Sequence, residues 1–142
     1  MEFPMRYETN YEWSGESDTG EVRLPAKADL LKVAGPFRSN GFDPESLFVA
    51  AAEICLANTF LFFANRARLK LESYQSSARG ELEQAPEGGF RFREIVIRPV
   101  IGVDEGDREK AAGLLEKAHR YCLISRSMRC RVRVEHEMVP VG

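Results

Sequence analysis

The sequence predicts an α+β fold in the order β-β-α-β-β-α-β, with antiparallel sheets around a central buried helix. Three observations predict it. Residues 44–64, PESLFVAAAEICLANTFLFFA, form one long apolar run opened by a proline and an acid. Residues 70–84 and 90–103 are strand-like stretches separated by the turn PEGG at 86–89. Residues 129–138 alternate strictly between mainly apolar and charged side chains, the period of a strand with one buried face. Hairpins mixed with two helices place the chain in the α+β class. A length of 142 residues suits one domain, 1–142, able to bury a core without staples.

The elements follow in order. MRYETNYEW (5–13) is rich in β-formers, SGESDTG (14–20) is a turn, and residues 21–33 resume with Val22 and Leu24 alternating against charged neighbours. This reads as an N-terminal hairpin. GPFRSNGFD (35–43) is loop by its Gly, Pro and Asn content. The first helix starts with Asp43 at the N-cap, Pro44 at the first helical position and Glu45 in the first turn, where the dipole favours negative charge. It extends to about Arg68. Strands 70–84 and 90–103 then form a second hairpin. DEGDREKAAGLLEKAHRYC (104–122) carries apolar residues at 111, 114, 115, 118 and 122, the helical period, with Asp104 or Asp107 as its cap. The last strand turns Cys130, Val132, Val134, His136 and Met138 inward.

Charge and cysteine content narrow the function. The net charge is −2, whereas a grip on nucleic acid needs a basic footprint. The arginines at 126, 129, 131 and 133 read as a solvated strand face. Three cysteines, at 55, 122 and 130, are too few and scattered for a disulfide scaffold. Without a CxxC pair, and with only His119 and His136 as histidines, no metal site is expected. The N-terminus has no basic region followed by an apolar run, so a reducing cytoplasm is the expected compartment. Residues 47–64 reach the lower edge of membrane-spanning length, but Glu53, Asn58 and Thr59 lie inside them. A carboxylate there would cost about 2.5 to 3.5 kcal/mol even on a lenient insertion scale. The expectation is a non-membrane helix buried on nearly all sides, which in so small a chain asks for a partner subunit.

Cys55 lies mid-helix and Cys122 at the C-terminal end of the second helix. Taken alone, each reads as a small core residue. Their surroundings change that reading. DPESLFVAAAEICLAN, with Cys55 ten residues after the glutamate of a PE step, resembles the first cysteine motif of the OsmC/Ohr family, the osmotically inducible and organic hydroperoxide resistance proteins. AHRYCLISRSM resembles the second. The order of elements and the spacing of the cysteines match over nearly the whole chain.

The resemblance implies an intertwined homodimer with two active sites at the subunit interface. It implies a thiol-dependent peroxidase that reduces organic hydroperoxides in oxidative stress defence, with Cys55 as peroxidatic and Cys122 as resolving thiol. No cofactor is bound, and an external dithiol reopens the Cys55–Cys122 disulfide. Glu45 matches the family's active-site glutamate. Ohr-type members carry an arginine in the first hairpin turn, whereas SGESDTG has none. OsmC-type members place one in the loop before the PE step, where this chain has Arg38, seven residues before Glu45. The OsmC-like branch is therefore the expected one, with Glu45 orienting the Arg38 guanidinium through a bidentate pair.

Elementary chemistry fits this division. A peroxidatic cysteine must be a thiolate, which needs a nearby cation or a helix N-terminus. Cys122, near a helix C-terminus, is penalised as an anion, and Cys55, mid-helix, needs an arginine. Ten residues at ~1.5 Å rise separate Glu45 from Cys55 by about 15 Å along a straight helix, so Glu45 is expected to serve the partner's Cys55. Among the remaining candidates, Cys130 reads as core and His119 as solvated. Phe60, Phe62 and Phe63 read as core, dimer contact or the wall of an alkyl pocket. Glu53, on nearly the opposite helix face from Cys55, reads as bonded across the interface. Two other functions fit the same residues: a dimer that binds a small apolar ligand with redox-sensing or inert thiols, and an interaction protein whose cysteines are core.

Overall fold

A computed structural model of the chain describes residues 5–25, 29–38 and 40–140. Its contacts fall into two compact units, residues 1–48 and 49–142, taken here in turn.

The first unit holds a three-stranded antiparallel sheet in the order β1-β2-β3, made of Asn10–Trp13, Gly20–Arg23 and Leu30–Val33. The single strand expected over 21–33 is thus two. Pro25, which has no N–H to give a ladder, follows β2 closely, and residues 26–28 of that stretch lie outside the described residues. Helix α1, Pro44–Arg66, begins in this unit and continues into the second. Asp43 caps it as the sequence indicates. Its carboxylate accepts from the Ser46 backbone N–H at 2.7 Å and from the Ser46 hydroxyl at 2.9 Å, and these bonds hold Asp43 below the usual carboxylate range.

The second unit is built on a long antiparallel pair, β4 (Leu71–Gln84) and β5 (Phe90–Val103). A short 3-10 turn leads into α2 (Arg108–Tyr121), and α3 (Leu123–Ser127) follows at once. Asp107 occupies the N-cap position of α2 but makes no side-chain cap bond. β6 (Arg131–Val134) and β7 (Glu137–Val139) both run parallel to β5. Parallel pairing corrects the antiparallel expectation for the last strand. The helical crossover between β5 and β6 returns the chain to the same end of the sheet, as parallel pairing requires. The strand expected over 129–138 is also broken. β6 pairs residues 94–97 of β5 and β7 pairs 100–102, so the break lies opposite Pro99, which has no N–H to donate.

The core of this unit lies on one face of β5. Ile95, Ile97, Ile101 and Val103 pack with Ala52, Leu56, Phe60 and Ala64 of α1 and with Ala111, Leu115 and Ala118 of α2. The α1 residues recur every four positions, so one stripe of the helix is buried. The rest is not: Ile54 is 57% exposed, Phe62 56% and Leu61 42%. A helix buried on nearly all sides is therefore not what a single chain provides. By length and composition alone α1 could also cross a membrane, with a mean hydropathy of 2.0 over its most apolar stretch.

Candidate active site

The second unit brings Cys55 and Cys122 together. Cys55 is half-buried on α1, with its sulfur 4.0 Å from the Thr59 hydroxyl one turn on. That hydroxyl donates to the Cys55 carbonyl at 2.7 Å, a back-bond that fixes the Thr59 rotamer. Cys122 is fully buried where α2 ends and α3 begins, with extended backbone between the two helices. The Ser125 hydroxyl donates to its sulfur at 3.3 Å. Burial pushes the Cys122 thiol above the ordinary 9.0. The Ser125 bonds oppose the rise, and the Cys55 side chain, which interacts with it directly, adds to it. Both cysteines are free thiols. Thr59 and Ser125 were not singled out from sequence. Their signal was spacing, four residues after one cysteine and three after the other, which shares a helix face in each case.

Aromatic residues lie on the next turns of α1. Phe63 packs edge-on against Tyr121 at 6.2 Å between centroids, and the Lys117 ammonium sits 4.4 Å over the Phe63 ring. Phe62 lies beside Phe63, at 5.6 Å. Phe60 does not belong to this group: it is buried in the core against Tyr74.

Arg38 and Glu45 belong to the first unit. Arg38 is not paired with Glu45. Its Nε donates to Asp18 at 3.0 Å and its Nη2 to the Ser17 hydroxyl. The acid that holds the guanidinium, Asp18, comes from the β1–β2 turn, the stretch that lacks an arginine of its own. Glu45 is half-buried, and its Oε2 is buried with no hydrogen-bond partner among the described residues. It stands ten residues from Cys55 on one uninterrupted helix.

The other candidates resolve as follows. Glu53 bonds within its own chain, accepting from the Ser76 hydroxyl of β4 at 2.5 Å. His119 is not solvated: its Nε2 meets the Val132 carbonyl at 3.0 Å and ties α2 to β6. Cys130 packs against the core as its alternation indicated. His136, expected on the inner face, is exposed, because the strand breaks there. Of the surface arginines, Arg133 is clamped by both Glu94 oxygens, at 2.9 and 3.0 Å, and by Glu135. Among the described residues no three His, Cys, Asp or Glu side chains come together as a metal site.

Residues 37–137 match the family model described as OsmC-like protein. The chain is 29% identical over 98 residues to the organic hydroperoxide resistance protein OhrB of Bacillus subtilis, covering 69% of this chain and 70% of that one. It is 30% identical over 122 residues to the organic hydroperoxide resistance protein of Xanthomonas axonopodis pv. citri, covering 84% and 82%. In three dimensions it is similar to an OsmC-like protein of unknown function from Vibrio cholerae. The TM-score is 0.82 at 22% identity, over 93% of this chain and 99% of the other.

Proposed function

The chain belongs to the OsmC-like protein family, and from that premise we propose that it is a cysteine-based peroxidase reducing organic hydroperoxides. One observation carries the proposal: Cys55 and Cys122, 67 residues apart in sequence, interact directly beside a polar pair of hydroxyls, Thr59 and Ser125. The names of two relatives, organic hydroperoxide resistance proteins, support the substrate class.

The Cys55 thiolate attacks the distal oxygen of the hydroperoxide. The O–O bond breaks, Cys55 becomes a sulfenic acid, and the alkoxide leaves as an alcohol after taking a proton. Cys122 then attacks the Cys55 sulfur and releases water, which closes a disulfide. An external dithiol reopens it by exchange. Burial keeps Cys122 protonated while Cys55 reacts first. No metal or bound organic cofactor takes part, and the enzyme works in the cytoplasm.

The active form is a homodimer. Ile54, Leu61 and Phe62 give α1 an exposed apolar side for a second copy to cover. In that dimer Glu45 and Arg38 of one subunit serve Cys55 of the other.

The test is direct. Reduced protein is treated with one equivalent of an alkyl hydroperoxide, and its peptides are mapped by mass. A Cys55–Cys122 disulfide, absent in Cys55→Ser, is the expected product. A protein whose thiols are not consumed is a ligand-binding or structural member of the family instead.

A further inference from the structure

The Arg38 guanidinium rests on a turn that is fastened at several points. Ser17 and Asp18, consecutive residues of the β1–β2 turn, take its Nη2 and Nε donors. Among the described residues its Nη1 has no hydrogen-bond partner. Ser17 holds φ at 50°, in the left-handed region that a non-glycine residue rarely adopts. The bonds around it account for its staying there. The Trp13 indole N–H donates to the Ser17 carbonyl at 2.9 Å. The Thr19 hydroxyl donates to the Glu16 carbonyl at 2.8 Å and lies 2.5 Å from the Ser14 hydroxyl. On the other side, the Arg38 backbone N–H donates to the Gly35 carbonyl at 3.1 Å. A Cβ at Gly35 would lie 1.9 Å from an Asp18 carboxylate oxygen, so a side chain there would displace that carboxylate. An apolar cleft of about 370 Å³, walled by Tyr11, Val22, Val33 and Pro44, opens beside Asp18.

A long arginine in a loop loses much rotamer freedom when it must point one way. An ion pair between side chains 51% and 54% exposed adds little to stability. It can still fix direction, and a turn this heavily bonded is built for fixing direction. From this juxtaposition we propose that Asp18, seated on Gly35, is the positioning residue for Arg38: it aims the guanidinium at the thiolate it activates. The inference rests on the reading above, in which Arg38 serves a Cys55.

The test follows the pH–rate profile of Cys55 alkylation, along with peroxidase kcat/KM, in the full-length protein. Asp18→Ala removes the anchor. Gly35→Ala displaces the carboxylate without touching its charge. Both variants are expected to move the profile to higher pH and to lower kcat/KM about three- to tenfold, and Asp18→Asn, which keeps an acceptor, about half as far. Emission of Trp13, the single tryptophan, reports whether the turn is intact. Unchanged profiles in Asp18→Ala and Gly35→Ala would overturn the inference. So would a shift to lower pH with faster alkylation, since Asp18 would then be masking the arginine's charge. Arg38→Ala separates this from the parent reading. If it leaves the profile unmoved, Arg38 does not serve Cys55 and both fail; if it alone moves the profile, only the role of Asp18 fails.

Discussion

Tyr74 provides a quantitative test of the second unit's packing. Its ring stacks at a tilt on Phe60, 5.5 Å between centroids, and its hydroxyl is buried with no hydrogen-bond partner among the described residues. Burial first, and then the negative charge of Glu53, push it from 10.0 up to about 12. Because the folded value lies above the unfolded one, this tyrosine contributes stability that is complete below pH 10. That contribution is lost as the pH rises toward 12. A rise of that size corresponds to at most about 3 kcal/mol. Cys122 and Cys130, both raised by burial, add a loss of the same sign from about pH 9 upward. The comparison of wild type with Tyr74→Phe cancels the thiol part. Denaturant unfolding from pH 7 to pH 11.5 should give two curves that diverge above pH 10, with the variant flatter. At pH 7 the substitution should be neutral or stabilising by up to about 1 kcal/mol, since it removes an unpaired buried polar group. Tyrosinate absorbance offers a direct check. Tyr74→Phe should remove the part of the wild-type signal that develops at the highest pH. A difference between the two titrations that develops already at the ordinary 10.0, or a loss beyond about 1 kcal/mol in Tyr74→Phe at pH 7, would refute the packing described.

Two further outcomes test the proposed chemistry. In Cys122→Ser, hydroperoxide should still consume Cys55, but sulfenic and then sulfinic acid should accumulate and steady-state turnover should fall at least about tenfold; a disulfide to Cys130 at wild-type rate would contradict the assignment. Mixing Glu45→Gln with Cys55→Ser subunits should restore about half of one wild-type dimer's activity, through one complete site per mixed dimer. Mixtures that stay as inactive as their parents would mean that Glu45 serves the Cys55 of its own subunit.

What the sequence made legible is what local chemistry decides. The Asp43-Pro44-Glu45 start of α1, the β4–β5 hairpin around its glycine turn, and the α2 stripe all depend on neighbours within a few positions. The breaks in the strands expected over 21–33 and 129–138 coincide with prolines, Pro25 within the one and Pro99 opposite the other, so Pro99 acts on a partner strand and not on its own. Alternation over 129–138 therefore placed Cys130, Val132, Val134 and Met138 against the core, but it hid the break and misplaced His136, which is exposed there. The two cysteines could be paired through motif order, whereas the partners of Arg38 could not be found that way. Arg38 is twenty residues from Asp18, and nothing in a loop's composition says which carboxylate a flexible guanidinium will reach. The burial of α1 expected on nearly all sides is incomplete within the single chain for a different reason. Hydrophobicity around a whole helix states that every side is to be covered; it does not state by what.

That last point bears on how the proposed enzyme divides its work. A thiol that meets substrate must be reachable and anionic, and a thiol that only resolves must be neither until it is needed. Cys55 stands half-buried on α1, and in the proposed dimer its cation comes from the partner subunit. Cys122 is fully buried, is held by Ser125, and is pushed toward its neutral form by that burial. Exchanging their roles would require the buried sulfur to carry the charge, which burial opposes, and to admit a bulky peroxide to a side chain with no exposed surface of its own. The asymmetry therefore comes from packing rather than from sulfur chemistry. It predicts that a substitution which loosens the buried stripe of α2 leading to Cys122, such as Leu115→Ala two helical turns before it, should raise the reactivity of Cys122 toward alkylating agents before it changes that of Cys55. If Cys55 were affected first, burial would not be what keeps the two thiols apart in function.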